Sequence, residues 1–62
     1  MSKAVAKYSV NNVVVLKDGR VVLINEIFQK DEVFFYDYQS DDGIGQVSED
    51  EISHVKEAKF YP

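Results

Sequence analysis

The alternation of apolar and polar positions divides the chain into short β-type runs separated by turn residues. Residues 1–9 show little periodicity, although Val5 and Tyr8 are apolar, and read as a loose N-terminal arm. From Val10 the run "VNNVVVLK" is rich in β-branched side chains, and it stops at "KDGR". There Asp18-Gly19 is a hairpin signal, because Gly19 supplies the positive φ that such a turn requires. A second strand is predicted over Val21–Phe28. Its Ile24 and Ile27 are three apart, which suits a strand interrupted by a bulge. A helix is the rival reading, and the β-branched residues and the preceding turn weigh against it.

The polar "QKDE" at 29–32 predicts a turn, followed by a third strand from Val33 to about Gln39. Read with period two, Phe34, Tyr36 and Tyr38 share one face, and Val33, Phe35 and Asp37 share the other. A carboxylate on the second face marks it as wet, so the first is the expected core. Val33 and Phe35, with Phe28 nearby, then form a candidate apolar contact spot, the simplest contact being strand pairing with another chain. "SDDGIG" reads as turn chemistry, with Gly43 and Gly45 permitting special backbone angles, before a short fourth strand, Gln46–Ser48. Ser48 and Glu51 stand at the spacing of a capping box, and the few residues that follow allow a single 3₁₀ turn. Ile52, then Val55 in a last short strand, are expected to close the core, leaving Phe60-Tyr61-Pro62 in a tail.

The expected fold is therefore all-β: a small five-stranded, partly open SH3-like barrel with one 3₁₀ turn before the last strand. The barrel is assigned to residues 10–56, between an arm at 1–9 and a tail at 57–62. Sixty-two residues allow one domain. A domain of this size buries only about 60% of its unfolded surface, and small domains commonly need a staple. With no cysteine and one histidine, disulfide and cysteine-metal staples are excluded, so apolar packing must suffice. The lack of cysteine fits a reducing compartment, and no apolar run is long enough for a membrane helix. A soluble cytoplasmic protein without a signal peptide is the expectation.

The segments "VNNVVVLKDGRVVLINEI", "EVFFYDY" and "EDEI" resemble the frame of SH3-like small barrels of the KOW and Tudor type, over about Val10 to Val55. The resemblance implies fold more than function, because this fold hosts unrelated activities. In Tudor-type domains an aromatic cage grips methylated side chains by cation–π attraction. Tyr36, Asp37 and Tyr38 match the third-strand part of such a cage, but its other aromatic positions fall at Leu16 and at Val21 or Val22. KOW-like modules imply contact with nucleic acid, for which Lys17, Arg20 and Lys30 are the candidate residues.

Charge shifts the balance between these readings. Residues 1–30 carry five basic residues against two acidic, whereas residues 31–62 carry two against nine, and the net charge is −4. Nucleic-acid binders usually show a basic footprint, and the second half of this chain shows the reverse. Catalysis finds little support: His54 has Ser53 as its neighbour but no triad arrangement. The paired acids at Asp41/Asp42 and Glu49/Asp50/Glu51 lack a chain long enough to build a substrate pocket around them. "SDDGIG" lacks the alternate ligands and terminal Glu of a calcium loop. No cofactor or metal is expected.

A solvated face that keeps a small protein soluble is one reading of these acids; for function, the preferred expectation is a non-enzymatic acidic interaction module. Asp37, Asp41, Asp42, Glu49, Asp50 and Glu51 would meet a basic protein surface, with Phe35 and Tyr38 adding apolar area. Such a protein could regulate or inhibit a nucleic-acid-binding machine by occupying its phosphate channel, and it resembles small phage-encoded inhibitors in size and charge. A KOW-like nucleic-acid module and a structural subunit of a homo-oligomer are the alternatives.

Overall fold

A computed structural model describes residues 5–58. Five antiparallel strands form one open, curled sheet: β1 (Val13–Leu16), β2 (Val21–Lys30), β3 (Val33–Ser40), β4 (Gly43–Ser48) and β5 (Ile52–Glu57). The spatial order is β4-β3-β2-β1-β5, and a single 3₁₀ turn, Glu49–Glu51, joins the two outermost strands. This is the all-β architecture expected from the sequence. The 1–4 part of the expected arm and residues 59–62 of the expected tail lie outside the described residues.

β2 makes the curl. Val21–Leu23 pair with β1, whereas Leu23–Lys30 pair with β3, so one strand serves two halves of the sheet. The register with β3 slips between Ile24 and Glu26, which inserts Asn25 as an extra residue. That bulge brings Ile24, opposite Tyr38, and Ile27, opposite Tyr36, to the same inner face despite their odd spacing. The core then consists of Val14, Leu16, Val22, Ile24, Tyr36, Tyr38, Val47 and Ile52, with Ile27 and Phe34 packed against it.

Several expectations need correction. Val10–Asn12 is not strand, and β1 starts at Val13. Asn11 takes φ 73, a conformation Asn tolerates, while buried Asn12 accepts the Ser9 amide through Oδ1 at 3.0 Å. Ladder-like bonds from Asn11 N to Ile24 O and from Ile24 N to Asn12 O then tie this turn to β2. The "QKDE" turn shrinks to Asp31-Glu32, both at positive φ (52 and 66), the geometry of a two-residue I′-type hairpin made without glycine.

Gly45 belongs to β4 rather than to a turn, and it needs no special backbone angle. It faces Tyr38, whose hydroxyl oxygen would lie 2.5 Å from any Cβ placed there. Its small size makes room for a ring. Gly43, by contrast, does occupy positive φ (125). Val55 does not close the core: on bulged β5 it stays 37% exposed. Cover comes instead from the expected arm, where Ala6 and Tyr8 pack on the core and Tyr8 meets Tyr36 edge-on at 5.7 Å. No described helix is long and apolar enough to cross a membrane.

Candidate interaction surface

The acidic residues of the second half gather at the two ends of β4. Asp41 and Asp42 form the β3–β4 turn, where Ser40 Oγ accepts the Asp42 amide at 3.2 Å and leaves both carboxylates exposed. Glu49, Asp50 and Glu51 form the 3₁₀ turn at the other end. The six residues between them span roughly 20 Å of extended chain.

These carboxylates differ in freedom. Glu49 accepts the Tyr36 hydroxyl at 2.5 Å and the Lys7 amide at 3.1 Å, so it pins both the buried ring and the arm to the 3₁₀ turn. Burial first, and then this bond, push the Tyr36 hydroxyl well above the ordinary tyrosine range. Glu51 closes the predicted cap by accepting the Ser48 amide at 3.0 Å. Asp41, Asp42 and Asp50 are exposed and form no ion pair with any described residue.

Asp37 and Phe35 lie elsewhere, on the outer face of β2-β3-β4. Phe35 stacks on Phe28 of the neighbouring strand at 5.7 Å, with Val33 at the end of the same face. Phe28 and Val33 keep about two fifths of their surface in solvent. Asp37 stands opposite Glu26 and accepts a bond from Gln46 Nε2 at 3.2 Å. Tyr38 is a correction. It is only 8% exposed, and its hydroxyl accepts Arg20 Nη1 at 2.9 Å, so it supplies core rather than contact area. With Tyr36 wholly buried as well, the two rings matched to a methyl-binding cage are both interior.

The basic candidates are not brought together. Arg20 donates from Nε to Asp18 Oδ2 at 2.8 Å, and its guanidinium lies over the Tyr38 ring, 5.6 Å from the centroid. Hydrogen bonds from the Arg20 amide and then the guanidinium hold the Asp18 carboxyl below its usual range. Asp18, followed by Tyr38, raises Arg20 further. Lys17 shares this hairpin, whereas Lys30 ends β2, roughly 30 Å of strand away. Beside the hairpin an open groove of about 230 Å³ mixes signs, with Lys17 and Arg20 facing Asp18, Asp50 and Glu51. Ser53 Oγ and His54 Nδ1 lie 3.0 Å apart on exposed β5. No group of three or more potential metal ligands occurs among the described residues.

Ile44 escaped the reading of the sequence. It is 86% exposed on β4, within the segment that the sequence predicts as a turn. The signal was there in "GIGQVS", where Gly45 and Val47 alternate with Ile44 and Gln46. The chain matches no family model, and no curated protein or solved structure is significantly similar to it.

Proposed function

We propose that the chain is a non-catalytic, cytoplasmic interaction module that docks on a basic surface of another protein and thereby regulates it. One observation carries this reading: Asp41, Asp42 and Asp50 project into solvent at both ends of one strand, and none of them forms an ion pair with a described residue. Unpaired exposed carboxylates contribute little to the fold, but they steer and orient an oppositely charged partner. The stacked Phe28 and Phe35 add apolar area on the adjoining face. A basic protein that ordinarily holds nucleic acid presents the complementary charge.

The test is capture from host lysate at low and high salt, with and without nuclease, using the chain and an Asp41→Asn/Asp42→Asn/Asp50→Asn variant. A discrete basic protein retained at low salt, released by high salt and lost with the variant supports the reading. Retention that the variant or high salt leaves unchanged overturns it. Captured material that disappears on nuclease treatment transfers the function to nucleic acid.

A further inference from the structure

The two outermost strands of the sheet are finished differently. β5 slips register twice against β1, between Val13 and Val14 and between Val15 and Leu16, and it carries His54, Lys56 and Glu57. Bulges and charges are the usual means by which a sheet edge is closed to further pairing. β4 has neither. Its six residues, Gly43–Ser48, pair with β3 without a slip and include no charged residue and no proline. Among the described residues β4 pairs with β3 alone, so its other edge presents unpaired backbone groups over roughly 20 Å.

Charge selects the occupant. A second copy of this chain would add through a two-fold axis, antiparallel, placing Asp41 and Asp42 of each copy beside Glu49–Glu51 of the other. Like charges would then meet at both ends of the joint. An extended segment with basic residues at both ends and a neutral, β-prone centre meets the opposite condition. It places cations beside both acidic turns while its backbone completes the ladder, and Ile44 offers an apolar neighbour.

We propose that the free edge of β4 accepts a partner's extended segment as a sixth strand, with basic residues of that segment seated against Asp41/Asp42 at one end and Asp50/Glu51 at the other. This rests on the reading of the chain as a module for basic partners, and it names how the partner is held.

The probe is a ten-residue peptide with Lys-Arg at each end and three Thr-Val repeats between them. It is compared with the same peptide carrying N-methyl groups on alternate amides, and with one whose ends are Glu-Asp. The unmodified basic peptide should bind, slow amide exchange within 43–48 at least tenfold, and leave exchange in β5 unchanged. N-methylation should weaken binding at least tenfold, because it removes ladder donors and blocks close approach. The Asp41→Asn/Asp42→Asn/Asp50→Asn variant should weaken it by a similar factor at low salt.

Equal binding of the N-methylated peptide, or exchange protection outside 43–48, overturns strand addition while leaving docking on the acids intact. No preference for basic over acidic ends, or no binding at all, overturns the proposal, and lack of preference removes the support for the acidic docking reading as well. A concentration-dependent dimer with protection confined to 43–48 assigns the edge to a second copy and overturns the proposal in that form.

Discussion

β4 and β5 are edges of the same sheet built on different principles. β5 combines broken register with charge on the strand itself, and five of its six residues, Ser53–Glu57, are exposed. β4 keeps an unbroken register and a neutral sequence, and the charge stands in the turns at either end. Both arrangements discourage aggregation, by different routes. Bulges stop any strand from adding, whereas terminal acids stop only a strand with the same charges. The second device is selective, as the proposed docking of a basic partner would require.

The largest expected effect tests why β4 can keep its register against β3. Gly45 leaves room for Tyr38, so Gly45→Ala forces a Cβ to within 2.5 Å of the ring's hydroxyl oxygen, which Arg20 holds in place. We expect a loss of about 2 kcal/mol in urea unfolding, the typical cost of overpacking a fitted core. Ser53→Ala on exposed β5 should stay within about 0.5 kcal/mol, as surface changes do. Similar costs at both positions would show that the edges do not differ in how tightly they are held.

A somewhat smaller effect concerns the acidic end of β4. Glu49→Ala removes the acceptor of the Tyr36 hydroxyl and should cost about 1.5 kcal/mol, as for a hydrogen bond to a charged group. The same contact predicts an alkaline limit. Tyr36 holds its proton more tightly folded than unfolded, so its contribution is complete below the unfolded value of about 10. It is lost as pH rises beyond that value towards the higher folded one. Phenolate absorbance followed together with circular dichroism should show one tyrosine ionising only as the β signal disappears. Tyr36→Phe should abolish that coupling, and ionisation of all tyrosines before unfolding would refute the assignment.

Smaller again is a gain away from both edges. Glu32 at φ 66 lacks the tolerance of Asn or Gly for that region. Glu32→Gly should therefore raise stability by about 0.7 kcal/mol, measured as a higher denaturant midpoint. It gives a firmer background in which to compare the edges, and a loss of stability would contradict the two-residue turn.

How much of this was legible depended on whether the signal lay in a side chain or in a space. The inner positions of β3, the odd spacing of Ile24 and Ile27 and the Ser48–Glu51 cap follow from residue type and periodicity, and the structure places them as read. Gly45 misled because glycine serves both bent backbones and crowded rings, and only the neighbour across the strand, Tyr38, decides which. Asn11 and Asn12 sat between β-branched residues, and their turn depends on Ser9 and Ile24, one of them twelve or more positions away. Val55 has the right residue type for a core, but the slips in β5 leave it partly outside. The acids were legible as a charge excess, whereas their division between the two ends of β4 required the true length of that strand.

The smallest effect on stability carries the sharpest version of the comparison. His54→Val with Lys56→Val removes the ring and the cation from β5 but leaves Glu57 and the register slips in place. Asp41→Asn with Asp42→Asn and Asp50→Asn strips three of the five carboxylates that flank β4 and leaves its smooth edge in place. Each set changes exposed side chains, so folding stability should move by no more than about 0.5 kcal/mol for either set. Association should separate them. A bulged edge cannot offer a regular row of backbone groups, so the β5 variant should sediment as a monomer at high concentration. The β4 variant, freed from most of the repulsion between copies, should form dimers that dissociate on dilution. Association of the β5 variant alone would mean that charge rather than bulges closes that edge. It would also mean that the acids beside β4 are not what keeps copies apart.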